Sequence, residues 1–123
     1  MRRLRQHGQA SVELALVLPV LFGLLLVLGQ VGLVVVDDVL AVNAAREAVR
    51  AAVVTKGDPM PPARKAALAS GRLDPARLGL VIDDDGATMA AHVVYRIAVI
   101  VPFAGHFVRH PSVVVTARMA REN

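Results

Sequence analysis

Residues 14–36 read LALVLPVLFGLLLVLGQVGLVVV, and in this run Gln30 has the only polar side chain. At about 1.5 Å per residue the run forms a helix roughly 34 Å long, enough to cross a hydrocarbon core of about 30 Å. The apolar part of a cleaved secretory signal is shorter, typically about 7–15 residues. The run therefore predicts one membrane-spanning helix.

The charges on either side of the run predict its orientation. Arg2, Arg3 and Arg5 precede it, and Asp37 and Asp38 follow it at once. Because positive charge is retained on the cytoplasmic side, we expect a cytoplasmic N-terminus. The predicted location is the cell membrane, with a single pass and an extracytoplasmic C-terminal domain.

Composition limits the remaining function classes. The chain has 123 residues, 55% of them apolar, and a mean hydropathy of +0.55, so there is room for one small domain beside the span. The formal charge is +4 and the pI about 10.7, but the basic residues outside the leader are spread among acids. Aromatic residues make up only 3%, which leaves few stacking platforms, and we expect no nucleic-acid partner. There is no cysteine, so disulfides and thiolate metal sites are excluded.

The helix is predicted to continue beyond the span. Residues 37–56 are rich in alanine and contain neither glycine nor proline, whereas Gly57 and Pro59 supply a stop. We therefore expect one helix from Ser11 to about Lys56. Its outer half is amphipathic, with a common face of small apolar side chains: Val42, Ala45, Val49, Ala52 and Val53.

Downstream of the helix, prolines and then β-rich segments follow. Pro59, Pro61 and Pro62 predict a helix breaker, followed by a short helix over Ala63–Ser70 and one further turn after Asp74. The period then changes, and three strands are predicted, over Leu78–Ile82, Ala90–Val101 and Ser112–Met119. Asp83–Gly86 is a hairpin-turn signal, and Pro102–Pro111 joins the last two strands.

The predicted fold is α+β: a long N-terminal transmembrane helix continues into an extracytoplasmic amphipathic helix, against which a small three-stranded antiparallel sheet packs. A sheet this small is marginal without a helix to cover it. The predicted organisation is a basic leader (1–8), a long helix (9–56) with the span at 14–36, a proline-rich connector with short helices (57–77), and the sheet (78–123).

Glu13 stands at the entrance of the apolar run, five residues after Gly8. A carboxylate is costly there, since even on insertion scales an Asp at the centre of a membrane helix costs about 2.5–3.5 kcal/mol. A basic leader, Gly8, Glu13 and an apolar helix resemble the type IV prepilin processing site. The resemblance implies that a prepilin peptidase cuts after Gly8, which makes Gln9 the N-terminus and places a free amine one helical turn from Glu13. The alternative is an unprocessed signal anchor with an interfacial glutamate.

Two longer stretches resemble the TadE-like family. Residues 8–19, GQASVELALVLP, are similar to its N-terminal signature, and residues 42–52, VNAAREAVRAA, to its second block. The late strand pair with Pro102-Phe103 between them is similar to its C-terminal end. The resemblance implies a minor pilin-like protein (pseudopilin) for assembly of a Tad/Flp-type pilus or related secretion system of bacteria and archaea, with a role in adhesion. The implied partners are the membrane, prepilin peptidase, other pilin-like subunits and the pilus assembly machinery.

Two features separate the chain from the major pilin of that system. Leu14 follows Glu13 where the major pilin commonly has tyrosine, and a folded domain follows the helix. Both favour a minor component.

Candidate subunit contacts come from a stripe on the span and from the second block. Pro19, Gly23, Gln30 and Asp37 share one helical stripe. Small and polar residues there suit helix–helix contact, although glycine and proline are also common in membrane helices generally. The complete set of candidates is Pro19, Gly23, Gln30, Asn43, Arg46 and Arg50.

No catalytic constellation is visible in the sequence. His106 and His110 are four residues apart but lack further zinc ligands, and His92 is expected to be solvated or partnered. Asp83–Asp85 lack the spaced ligands of a calcium loop, and Ser11 has no activating base nearby. We expect no enzyme activity, cofactor, metal or small-molecule substrate. The alternative function is that of an unprocessed single-span membrane-anchored accessory or binding protein of the cell envelope.

Overall fold

One helix dominates the computed structural model, which describes residues 2–100 and 110–121. Helix α1 runs without a break over Arg2–Val54, with Pro19 inside it. It begins before the predicted Ser11, so residues 2–10 are helical as well. The end is close to the prediction: the Thr55 hydroxyl donates to the Ala51 carbonyl (2.7 Å), and Gly57 has a positive φ of 116°.

Helix α2, Met60–Ala69, begins earlier than predicted. Pro61 and Pro62 were expected to break the helix, but they occupy its first turn, where a backbone N–H has no helical acceptor and proline is tolerated. Pro59 is the N-cap residue and makes no side-chain cap bond; just before it, the Asp58 Oδ1 accepts from the Met60 N–H (3.0 Å). The turn predicted after Asp74 is confirmed by the bond from the Arg77 N–H to the Asp74 carbonyl (3.0 Å).

The three predicted strands form one antiparallel sheet in the order β1-β2-β3. Strand β1 covers Leu78–Asp84, β2 Thr88–Arg96 and β3 Ser112–Ala120. Strand β2 was expected to reach Val101 but ends at Arg96. The predicted strand end at Val101 and residues 102–109 of the predicted loop, His106 included, lie outside the described residues.

The sheet covers the outer half of α1, as predicted. Alternate side chains of β2 point to the helix and are buried: Met89, Ala91, Val93 and Tyr95. The α1 face opposite them consists almost wholly of small residues, all at most 1% exposed: Ala41, Ala44, Ala45, Ala48, Val49 and Ala52. Of the predicted face, Val42 and Val53 are only half-buried. Ala63 and Ala67 of α2 complete the core.

Candidate functional site

The processing-site residues lie together on an exposed turn of α1. Gly8, Gln9 and Glu13 are all exposed. The Gln9 side-chain amide donates to Glu13 Oε1 across 3.5 Å. A Cβ placed on Gly8 would meet no atom within 4 Å, so packing within this chain does not require glycine there. The peptide bond between Gly8 and Gln9 lies inside the continuous helix.

The apolar part of α1 has no cover within the described chain. Every residue from Gly8 to Leu25 is exposed, including Val20 (73%) and Phe22 (63%). The most apolar window has a mean hydropathy of 2.5 and none of it is buried. Apolar surface of this extent requires lipid or other helices around it. The helix is therefore a candidate single membrane span.

The predicted small-residue stripe divides into two parts. Pro19 and Gly23 are exposed along the apolar surface, and an added Cβ on Gly23 would meet nothing within 4 Å. Gln30 and Asp37 instead face the chain's own domain. Gln30 Nε2 donates to the Ala98 carbonyl (3.0 Å), and its Oε1 accepts from the Ile100 N–H (2.9 Å). That Gln30 contacts another subunit stays a prediction.

Asp37 belongs to a polar cluster that the sequence analysis missed. It is 8% exposed, and its Oδ2 accepts from Arg77 Nη2 at 3.0 Å. The Arg77 guanidinium lies 4.6 Å above the Tyr95 ring, and its Nε donates to the Arg96 carbonyl (2.6 Å). The Tyr95 hydroxyl in turn accepts from the Asp74 N–H (3.2 Å). This cluster fastens β2 and the Asp74 turn to α1 at the outer end of the apolar run. Asp37 is 40 residues from Arg77, and the Asp74 N–H is 21 residues from the Tyr95 hydroxyl, so spacing in the sequence gave no signal for the cluster.

The second-block candidates lie on the exposed side of α1, away from its buried alanines. Asn43, Arg46 and Arg50 are exposed. Asn43 and Arg46 line an open cleft between the two helices, with a volume of about 520 Å³, together with Glu47, Ala66, Ala69 and Ser70. The polar residues that line the cleft include one positive side chain, Arg46, and one negative side chain, Glu47. The cleft therefore offers a partner both hydrogen-bond donors and hydrogen-bond acceptors.

The aspartates of the hairpin are engaged in the turn itself. Asp85 accepts from the Thr88 N–H (2.7 Å), the Thr88 hydroxyl (2.9 Å) and the Ala87 N–H (3.0 Å). These bonds, led by that from the Thr88 N–H, lower the pKa of Asp85 from its ordinary 3.8. Asp84 pairs with Arg121 at 3.0 Å, and Gly86 takes a φ of 87°. Turn geometry thus accounts for this acidic cluster.

Two histidines, His92 and His110, lie among the residues whose side chains are described. His92 Nδ1 is 2.8 Å from the hydroxyl of its cross-strand neighbour Thr116, and His110 is exposed. Within residues 8–100 and 110–121 no group of three or more histidine, aspartate or glutamate side chains is arranged to hold a metal ion.

A comparison with protein families gave a match that falls on helix α1, which carries all the candidate processing and subunit-contact residues. The family model described as TadE-like protein matches residues 8–50. The resemblance to the TadE-like family is confirmed over this segment. The TadE-like match begins at Gly8, ends at Arg50 and includes all nine candidate residues; the sheet lies outside it. The match covers about a third of the chain; the TadE-like family suggests a Tad pilus-associated protein and implies association with the membrane and pilus assembly components. No curated protein and no solved structure gave a significant match.

Proposed function

We propose that the chain is a pilin-like subunit, a minor pseudopilin, for assembly of a Tad/Flp-type pilus or related secretion system. The observation that carries this proposal is the exposed Glu13 at the entrance of an apolar helix surface that the described chain leaves uncovered. In this proposal the N-terminus is cytoplasmic, the sheet domain is extracytoplasmic, and no catalytic step takes place on the chain.

In the proposed assembly mechanism, the Glu13 carboxylate pairs with the amine that leader removal creates. Removal of the leader after Gly8 leaves a positive amine on Gln9, one helical turn from Glu13, where the two side chains already lie 3.5 Å apart. That amine, or one on a neighbouring subunit, compensates the carboxylate when the helices pack side by side. The first turn of the shortened helix also favours a negative charge through the helix dipole. Pro19 and Gly23 allow close approach of a second helix along the same surface.

Processing requires the helix to open at its inner end. The Gly8–Gln9 bond is helical, and a protease must draw it into an extended form before cutting. Glycine in a helix interior is less stable than alanine by about 0.8–1.0 kcal/mol, so Gly8 lowers the cost of this opening. We expect Gly8 to matter for access by prepilin peptidase rather than for the fold.

The test is mass spectrometry of the protein from its own host, with Gly8→Leu compared with Gly32→Leu. Both glycines are helical with open space around an added Cβ, so the pair separates processing from folding. We expect the native chain to begin at Gln9, the Gly8→Leu chain to retain its leader, and the Gly32→Leu chain to be cut normally. A native chain that keeps residues 1–8 would overturn the proposal.

Assembly has a separate test at Glu13. We expect Glu13→Ala to be cut and to remain stable in the membrane but to fail to co-purify with other pilin-like subunits. Asp38→Ala, which removes an exposed carboxylate beyond the span, is the matched control and should assemble normally. Normal assembly of Glu13→Ala would favour the alternative function, an unprocessed membrane-anchored accessory or binding protein. The unbroken helix through Gly8–Gln9 is the observation on the side of that alternative.

A further inference from the structure

After strand β2 the chain continues along α1 towards its apolar run, reaching Asp37 near Tyr95 and Gln30 near Ala98 and Ile100. We call Ile97–Ile100 the return segment. Both polar atoms of the Gln30 side chain bond to its backbone, Nε2 to the Ala98 carbonyl (3.0 Å) and Oε1 to the Ile100 N–H (2.9 Å). A Cβ added to Gly29 would meet Ile100 Cδ1 at 3.4 Å. The return segment therefore lies directly against α1 at the level of Gly29 and Gln30.

In a bilayer whose hydrocarbon core begins at Leu14, this level lies inside the outer edge of the core. Gln30 is sixteen residues after Leu14, or about 24 Å along the helix, whereas a hydrocarbon core is about 30 Å thick. Asp37 lies about 10 Å further out, where its ion pair with Arg77 marks the polar boundary. If the core begins near Leu14, Gln30 lies several ångströms inside its outer edge, and the return segment reaches the same depth.

The hydrogen bonds fit this position. Non-helical backbone in hydrocarbon has no water to bond with, and each unsatisfied group costs several kcal/mol. The Gln30 amide satisfies one carbonyl and one N–H of the return segment, and these two groups satisfy the amide. The arrangement accounts for the single polar side chain in residues 14–36. A glutamine that faced lipid without a hydrogen-bond partner would only destabilise the helix in the membrane.

We propose that the return segment enters the outer leaflet of the membrane beside α1 and contacts lipid acyl chains, with Gln30 as its internal hydrogen-bond partner. Ile97 is 4% exposed and its N–H bonds to the Pro111 carbonyl (2.9 Å), which fixes the start of the segment to the sheet domain. Ile100 at its end is 45% exposed and extends the uncovered apolar surface of α1. The inference rests on the membrane span of the proposed function but not on leader cleavage or assembly.

The experiment uses the absence of cysteine from the chain. A nitroxide is attached to Ile100→Cys, and the full chain is reconstituted into phosphatidylcholine vesicles. Collision of the label with oxygen, which concentrates in lipid, is compared with collision with a water-soluble nickel chelate. Val20→Cys in the span and Val114→Cys on the exposed sheet face are the references, since both side chains are strongly exposed on the protein. We expect the Ile100 label to behave as the Val20 label does, with nickel collision several-fold below that of the Val114 label.

A nickel accessibility at position 100 equal to that at 114 would overturn the inference. If the Val20 label collides with the nickel chelate as often as the Val114 label does, α1 does not span the membrane. That result would also overturn this inference. Protein that is neither processed nor assembled would still give the expected accessibility at position 100. Failure of the proposed pilin-like function can therefore be distinguished from failure of this inference.

A second comparison tests the role of Gln30. In the Ile100→Cys chain, Gln30→Leu should raise nickel collision several-fold, because two backbone groups lose their partner and the segment moves towards water. Val31→Leu, a change at the neighbouring exposed position, should not. An Ile100 label that stays in lipid in the Gln30→Leu chain would contradict the part assigned to Gln30.

Discussion

At the residue scale, Gln30 within the apolar run and Asp37 directly after it are each matched by a distant part of the chain. Gln30 bonds to the backbone at Ala98 and Ile100, and Asp37 pairs with Arg77. Both polar groups are thereby satisfied where the apolar run meets the domain, a place where an unpaired group would be costly. Glu13, at the other end, is exposed and is compensated only in the proposed assembly.

Asp37→Ala should destabilise the domain, whereas Asp38→Ala should not. The first change leaves the Arg77 guanidinium, whose side chain is 29% exposed, without its carboxylate partner. Hydrogen bonds to charged groups contribute about 1.5–3 kcal/mol, and partial exposure reduces this, so we expect a loss of about 1–3 kcal/mol. Asp38 is exposed and should change stability by less than about 0.5 kcal/mol. Thermal unfolding of the purified chain in detergent measures both, and equal effects would argue against the ion pair.

Asp85→Asn should lower the stability of the hairpin in a pH-dependent way. The pKa of Asp85 is lowered in the folded chain by bonds from the Thr88 N–H and hydroxyl and the Ala87 N–H. A lowered pKa means that the ionised form stabilises the fold above the ordinary value of 3.8 and that this stability is lost as the pH falls through the folded-state value. Wild type should therefore unfold at higher temperature than Asp85→Asn at pH 7, and the difference should shrink as the pH falls below 3.8. A difference that is independent of pH would contradict this origin.

At the scale of elements, helix and strand types followed from composition, whereas several boundaries did not. Strand β2 ends at Arg96 although Ile97–Ile100 is rich in β-branched residues, because the Gln30 amide takes up the backbone groups at Ala98 and Ile100. Pro61 and Pro62 start α2 because they fall in its first turn. In both places a contact or a position within the element outweighed local propensity.

The alanine face of α1 should tolerate no larger side chain. Ala48 is 0% exposed within the core that α1 shares with α2 and the sheet, and Ala48→Leu would force neighbouring side chains or backbone to move. Overpacking of this kind costs about 1–3 kcal/mol. The same change at Ala69, exposed on α2, should alter stability by less than about 0.5 kcal/mol. Denaturant unfolding in detergent makes the comparison, and an Ala48→Leu chain as stable as wild type would show that the sheet does not pack closely on this face.

At the scale of the whole molecule, α1 combines a candidate membrane span with the support of the domain. Its N-terminal half leaves its apolar surface uncovered within the described chain, and its C-terminal half supplies the largest share of the core under the sheet.

A chain trimmed to residues 34–123 should fold, whereas one trimmed to 57–123 should not. The longer piece keeps Asp37 and the alanine face; the shorter one exposes Met89, Val93 and Tyr95, which α1 covers. A three-stranded sheet with one uncovered apolar face is marginal in water. We expect cooperative thermal unfolding by circular dichroism for residues 34–123 and no transition for 57–123. A cooperative transition in the shorter piece would show that α1 is dispensable for the sheet.

Local sequence pattern was enough to predict the apolar span, the continuous helix, the three strands and the spacing of Gly8 and Glu13. The reason is that hydrophobic period and residue type act over a few neighbouring positions. Which polar groups face one another, by contrast, became known only from the packed fold. Asp37 meets Arg77, and Gln30 meets the return segment, across separations of 40 and about 70 residues. Such pairs depend on how the sheet lies along α1, and the packing of small side chains sets that placement. This packing produces no periodic sequence pattern at Gln30, Asp37 or their partners, so the pairs could not be predicted.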